Sequence, residues 1–322
     1  MKFASIILSL TVSGAAFAAT VDQGVKSRIL ENRNCKGCRA VGANFGDLDL
    51  SYVNFESSDL RKANLRGKDL TRTVFKNADL RGADLSGANL SEADLSEANL
   101  SGAIMVGTIL REAQLADSIM ENVDLRKADL TSAQLNGAKL SAASFSGAKI
   151  DRTSFFGADL SGAHLEGALI SDVDFTECVL RGAHLEGLRL KGVNLAGVNM
   201  QGVHLQGAVL IGAVLKGANL SQANLQGTQL SGADLSEARL DKADLTSAVL
   251  AKVDATGAMF RDAILEDANL KGANLTQTRF KGARLERALL SGSIMCQTDV
   301  PEPYRQMGRC AEATFVTDVE DL

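Results

Sequence analysis

The sequence predicts an all-β solenoid made of short sides and corners, and three observations carry that prediction. From Phe45 to Met295 every fifth residue is large and apolar, in unbroken register, with Ala255 as the one exception. The residue two places earlier is small in nearly every case, as at Ala83, Ala88 and Ala93 before Leu85, Leu90 and Leu95. Composition agrees: the chain of 322 residues has no Trp, 30 Gly and only 4% aromatic residues, so its core must be thin repeated layers of Ala and Leu.

Each element follows from the five-residue unit, seen best in ADLSGANLSEADLSEANLSG. The Ala-Asp-Leu triplet alternates inward, outward, inward, the period-two pattern of a strand with one buried face. The next two residues, commonly Ser-Gly, Arg-Gly or Ser-Glu, break the alternation and turn the chain. A helix fails the test, because a period of five drifts around a 3.6-residue turn and spreads Leu over the whole surface. Leu80, Leu85, Leu90, Leu95 and Leu100 are therefore core residues, together with the small residues before them.

This A-[DN]-L-x-x tandem array resembles the pentapeptide-repeat family over residues 40–296. The resemblance implies a right-handed quadrilateral β-helix in which four pentapeptides make one coil of twenty residues. It implies about 12–13 coils and, at ~4.8 Å per neighbouring strand, a rod about 60 Å long. Departures from the pattern mark where coils should distort: Leu48 and Leu188 are oversized at inward small positions, Lys68 brings an ammonium there, and Ala255 is undersized. The two prolines, Pro301 and Pro303, lie beyond the array, where no ladder donor is lost.

Flanking segments are read from composition. Residues 1–18 carry a basic residue, an apolar run and the small-residue pattern Ala16-Phe17-Ala18, as in a secretory signal peptide cut after Ala18. The apolar run is short of the ~20 residues a membrane-spanning helix needs, and no other segment is long enough. Residues 19–39 read as an N-terminal cap with a short helix: Thr20 and Gln23 form a capping-box pattern, and Val25, Ile29 and Leu30 fall within helical reach. Residues 297–322 form an irregular tail that covers the other end. Exported location, periplasmic or extracellular, follows from the leader.

Five cysteines fit that compartment. The resemblance to exported members of the family pairs Cys35 with Cys38 and Cys296 with Cys310, one staple at each end. Cys178 is left over at an inward small position, where a thiol serves as a small buried residue. A redox reading of Cys35-x-x-Cys38 lacks the βαβ context it needs, and Arg39 stands where haem attachment needs His.

The three histidines, His164, His184 and His204, are spaced by twenty residues, one coil each, at outward positions. They should stack on one face, with Glu166, Glu186 and Gln206 two residues further along. Imidazole and carboxylate in that arrangement are ligands for Zn or Cu. Duplication of a coil explains the same spacing without a ligand, since SGAHLEG, RGAHLEG and QGVHLQG are near copies. Cys178 points inward and takes no part.

The functional expectation is an exported, non-enzymatic scaffold or protein-interaction surface with no cofactor and a protein partner. Carboxylates recur along the array, but none forms a distinctive pair in a cleft, and a convex rod offers few pockets. Some cytoplasmic pentapeptide-repeat proteins mimic DNA and bind DNA gyrase through an acidic surface. Here the chain's net charge is −5, and much of it sits in the tail, at Asp299, Glu302, Glu312, Asp318, Glu320 and Asp321. That leaves the array near neutral and the gyrase reading as an alternative; a metal-binding strip is the other. No basic stripe with interleaved aromatics points to nucleic acid. Two apolar clusters at outward and corner positions, Ile104, Val106, Ile109 and Ile119 and then Val209, Ile211 and Val214, are candidate docking patches.

Overall fold

The computed structural model describes residues 19–300. The expected leader, the tail beyond 300 and Cys310 lie outside the described residues. Within them the backbone climbs by parallel pairing at a constant offset of twenty, from Asn34↔Asn54 to Arg279↔Asp299. Four columns of such rungs make four faces, and the central residue of every pentapeptide points into the space they enclose.

The hydrogen bonding explains why five residues suffice. In the unit beginning at Leu80, Leu80 N–H donates to Asn99 one coil on, Gly82 N–H to Ser101, and Asp84 N–H back to Ala63. Ala83 N–H closes the corner onto Leu80 C=O at 3.0 Å. The remaining donor, Arg81 N–H, is taken by the Asp79 carboxylate at 3.2 Å. The outward Asp or Asn is thus a backbone cap as well as a surface residue: Asp94 accepts from Ser96 N–H, and Asn99 from Ser101 N–H, in the same way. Corner residues two places after the central one carry positive φ, except after Phe45, where Gly46 takes it instead of Asp47; Gly adopts this φ without steric cost, and Tyr52, Glu97 or Ala142 adopt it at a cost.

The core is layered. Leu80, Leu85, Leu90, Leu95, Leu100, Ala83, Ala88 and Ala93 are fully buried, as expected. Phenylalanines one coil apart stack, Phe55 on Phe75 at 5.4 Å and Phe155 on Phe175 at 5.6 Å between ring centres. Where Thr replaces the inward Ala, its hydroxyl bonds a carbonyl of the coil below, as Thr73 does to Leu50 and Thr153 to Leu130. Lys68 escapes through a corner, its ammonium donating to Gly46 C=O.

The N-terminal end differs in detail from the expectation. Helix α1 spans Gln23–Asn32, and its cap is Asp22, whose carboxylate accepts from Gly24 and Val25 N–H; the Thr20/Gln23 capping box does not form. Thr20 instead lies in a short strand, Ala19–Thr20, that pairs in parallel with Ala43–Asn44 and adds a rung on top of one face. Val25 and Ile29 are buried over the first coil, while Leu30 faces solvent. The first coil begins at Asn34, so Cys35 and Cys38 are part of the repeat array rather than of a cap extending to residue 39. Both are buried and joined as a disulfide across the first corner. Cys296 is also disulfide-bonded, near the last described coil.

Candidate functional site

The strands that carry the histidines are ordinary rungs. His184 N–H donates to Ala163 C=O and His204 N–H to Ala183 C=O, while Leu165 and Leu185 N–H donate to the His184 and His204 carbonyls. The outward alternation then puts His164, His184 and His204 in one column. Their rings stack at 4.4 and 4.5 Å between centres, 8° from parallel at each step.

Glu166 and Glu186 form a second column beside the rings. His164 Nδ1 lies 3.1 Å from Glu166 Oε1, and His184 Nδ1 3.1 Å from Glu186 Oε1. Each carboxylate also faces the next ring down, at 4.0 Å for His184 and 3.9 Å for His204. Burial raises the Glu166 pKa, but the His164 hydrogen bond and the two imidazoles outweigh it and hold the carboxyl below its ordinary value. Glu186 Oε2 and, one rung on, Gln206 Oε1 are buried without a hydrogen-bond partner. Two overlapping sets result, His164/Glu166/His184 and His184/Glu186/His204, each with ligand atoms within 4.8 Å of one another.

Cys178 stands apart from this site. It is buried in the core, and burial, reinforced by the Asp174 charge, pushes its thiol up to about 12. A thiol so held is neither a ready metal ligand nor a nucleophile at neutral pH.

A second feature is a break in the ladder. Among the described residues three rungs are missing, 49/69, 169/189 and 174/194. The first follows oversized Leu48 and faces Lys68. The other two follow Leu188 and lie on adjacent faces, so one coil junction opens as a wedge. There Gly167, Ile170, Asp172, Phe175 and Glu177 N–H find no carbonyl on the next coil. Leu169 is 68% exposed, the highest among the large apolar residues described, and central Ile170 is only partly buried. A cavity of about 530 Å³ lies here, lined by Leu169, Ile170, Leu188, Lys149, Asp151 and Arg189. Val173 and Val193, bulky and only partly buried at inward small positions, extend the break beyond what Leu188 alone foretold. Valine at such a position is no signal by itself, since Val198, Val203 and Val253 are fully buried there beside intact rungs. A larger groove, about 710 Å³ near Met259, Arg261, Arg279 and Lys281, borders the end of the described residues.

The expected apolar clusters are not single patches. Ile104, Val106 and Ile109 wrap one corner, but Ile119 sits on a different face, between Asn99 and Lys139. Val209, Ile211 and Val214 likewise span two faces.

The model of the pentapeptide repeats family matches this chain in eight copies, covering residues 31–67, 69–111, 108–147, 189–227, 228–267, 257–292 and 268–299. A related model, of a pentapeptide repeat region, matches 128–205. The chain belongs to the pentapeptide-repeat family. Its fold is the family's right-handed quadrilateral β-helix. No curated protein matches the sequence. Among solved structures, this pentapeptide-repeat chain is similar to HetL, a pentapeptide repeat protein involved in heterocyst differentiation regulation from the cyanobacterium Nostoc sp. strain PCC 7120. Identity is 29%, over 86% of this chain and 97% of HetL, with a TM-score of 0.29. It is also similar to QnrB1, a plasmid-mediated fluoroquinolone resistance protein, at 22% identity over 57% and 88% of the two chains and a TM-score of 0.40. A pentapeptide repeat protein of the Arabidopsis thaliana thylakoid lumen is 26% identical over 40% and 84%, with a TM-score of 0.25.

Proposed function

We propose that this pentapeptide-repeat protein is an exported, non-enzymatic rod that holds a protein partner at the open coil junction. The observation that carries the reading is the wedge between residues 167–177 and 187–197. There, unpaired backbone donors and the exposed Leu169 side chain lie together, with two rungs open on adjacent faces. An extended segment of a partner satisfies both features at once, its backbone pairing with the free edge and an apolar side chain covering Leu169 and Ile170. Lys149, Arg189 and Lys191 border the opening against Asp151 and Asp172, and this net basic rim favours an acidic residue in that segment.

Export is supported by the leader-like residues 1–18 and by disulfide-bonded cysteines near both ends of the array. The alternative of an acidic, DNA-like surface has less support. Asp59, Asp79 and Asp124 are each paired with an arginine two residues on, and Asp129 with Arg111, so their charge is neutralised locally.

A photo-crosslinking residue at Leu169, compared with one at Asn89 on a regular stretch of the same face, tests the reading in the producing cell. Adducts at 169 that vanish in an Arg189→Glu background, with none at 89, are expected; equal labelling at both sites overturns it. Fractionation with N-terminal sequencing tests export, the expected mature end being Ala19.

A further inference from the structure

We propose that the histidine ladder is a metal site that takes one divalent transition-metal ion, zinc or copper, at His184, Glu186 and His204.

Zinc in proteins sits about 2.0–2.1 Å from nitrogen and oxygen ligands, which puts tetrahedral ligand atoms roughly 3.3 Å from one another. His184 Nδ1 and Glu186 Oε1 are already 3.1 Å apart, and His204 Nδ1 is 3.9 Å from the same oxygen. The two rings are nearly parallel, so their in-plane lone pairs do not yet converge. Tilting both rings about the Cβ–Cγ bond brings the nitrogens together, and both side chains have room, being 31% and 40% exposed. The backbone beneath is held by ladder bonds on both sides and needs no movement.

Two observations select this set over His164/Glu166/His184. All three of its residues are half-buried, whereas His164 is exposed. Its carboxylate has a buried oxygen, Glu186 Oε2, with no partner, and the next rung offers a second such oxygen, Gln206 Oε1. An unpaired buried carboxylate oxygen is costly, and a cation removes the cost. Glu166 Oε2, by contrast, has Ser146 Oγ at 3.5 Å. His184 belongs to both sets and presents one Nδ1, so filling one set empties the other; this limits the ladder to one ion. Only Nδ1 faces the carboxylates, so the ion takes the Nδ1 lone pair of the tautomer that carries its proton on Nε2.

Titration calorimetry with zinc chloride alone, on the full chain purified without a polyhistidine tag, tests the site. One equivalent is expected. His184→Ala abolishes binding, Glu186→Gln weakens it at least tenfold, and His164→Ala changes it less than twofold. Cobalt(II) substitution should give the visible absorption of a four-coordinate ion. Unfolding curves matching the parent show that the variants are folded. Absent binding, binding that survives His184→Ala in a folded protein, or a loss on His164→Ala equal to that on His204→Ala overturns the proposal.

Discussion

At the scale of single residues, the outward Asp or Asn does two things that compete in any reading of surface charge. It presents a polar face to solvent, and it takes the one backbone donor that the coil leaves free. Asp94→Ala removes the acceptor for Ser96 N–H and Ser96 Oγ. A loss of about 1 kcal/mol is expected from denaturant unfolding, with Asp94→Asn close to the parent. Corner φ values give a paired test. Gly102 has open space around its missing Cβ but a φ of 64°, so Gly102→Ala should cost about 1 kcal/mol by backbone strain alone. Ala142, at φ 55°, should gain on replacement by Gly, by less because Gly loses more entropy on folding. Asp49 reports on pH. Hydrogen bonds from Arg33, then from Ser51, lower its pKa to about 2. Its folded value is depressed, so its contribution is complete above the usual carboxylate range near pH 4 and is lost as pH falls towards 2. Thermal unfolding of the parent and of Asp49→Asn should differ at pH 6 and converge at pH 2.

At the scale of the element, one coil is stable only through its neighbours, so a bulky residue at an inward small position acts on the rungs beside it. Leu188 is buried yet sits where Ala is usual, and the rungs 169/189 and 174/194 are the ones that fail. Leu188→Ala should let the junction close. Amide exchange at Ile170 and Phe175 is then expected to slow at least tenfold, and unchanged exchange would show that Val173 and Val193 suffice to hold the wedge open. Leu48 shows the same coupling near the start, at rung 49/69, where Asp49 is held from the other side by Arg33, which bonds its carboxylate and carbonyl. Helix α1 closes this end with only Val25 and Ile29 buried, which is enough because the Cys35–Cys38 disulfide ties the first corner beneath it.

At the scale of the whole molecule, a rod whose coils touch only adjacent coils unfolds as a one-dimensional chain, and the open junction is its weakest link. Denaturant unfolding should therefore show two blocks, before and after the junction. Leu90→Ala, a core truncation of the 2–5 kcal/mol class, should lower the midpoint of one block and leave the other in place. A single transition that shifts as a whole would mean the two intact faces carry the coupling. The fold was legible in the sequence because every layer repeats one rule: small, outward polar, large apolar, two corner residues. So were the core, the histidine column and the approximate sites of distortion at Leu48, Lys68 and Leu188, since register alone assigns each residue to the inside or the outside; Ala255, also expected to distort its coil, leaves the rungs 234/254 and 254/274 intact. The sequence by itself thus determined the layers and the twenty-residue column of His164, His184 and His204. Tertiary structure alone decided the rest: that Asp22 caps the helix, that Ile119 lies on another face from Ile104, that the wedge spans two faces, and that each carboxylate bridges successive imidazoles. Periodicity sets which way a side chain points, whereas these outcomes depend on distances between coils, and those are settled only when bulky and small side chains compete for the same layer.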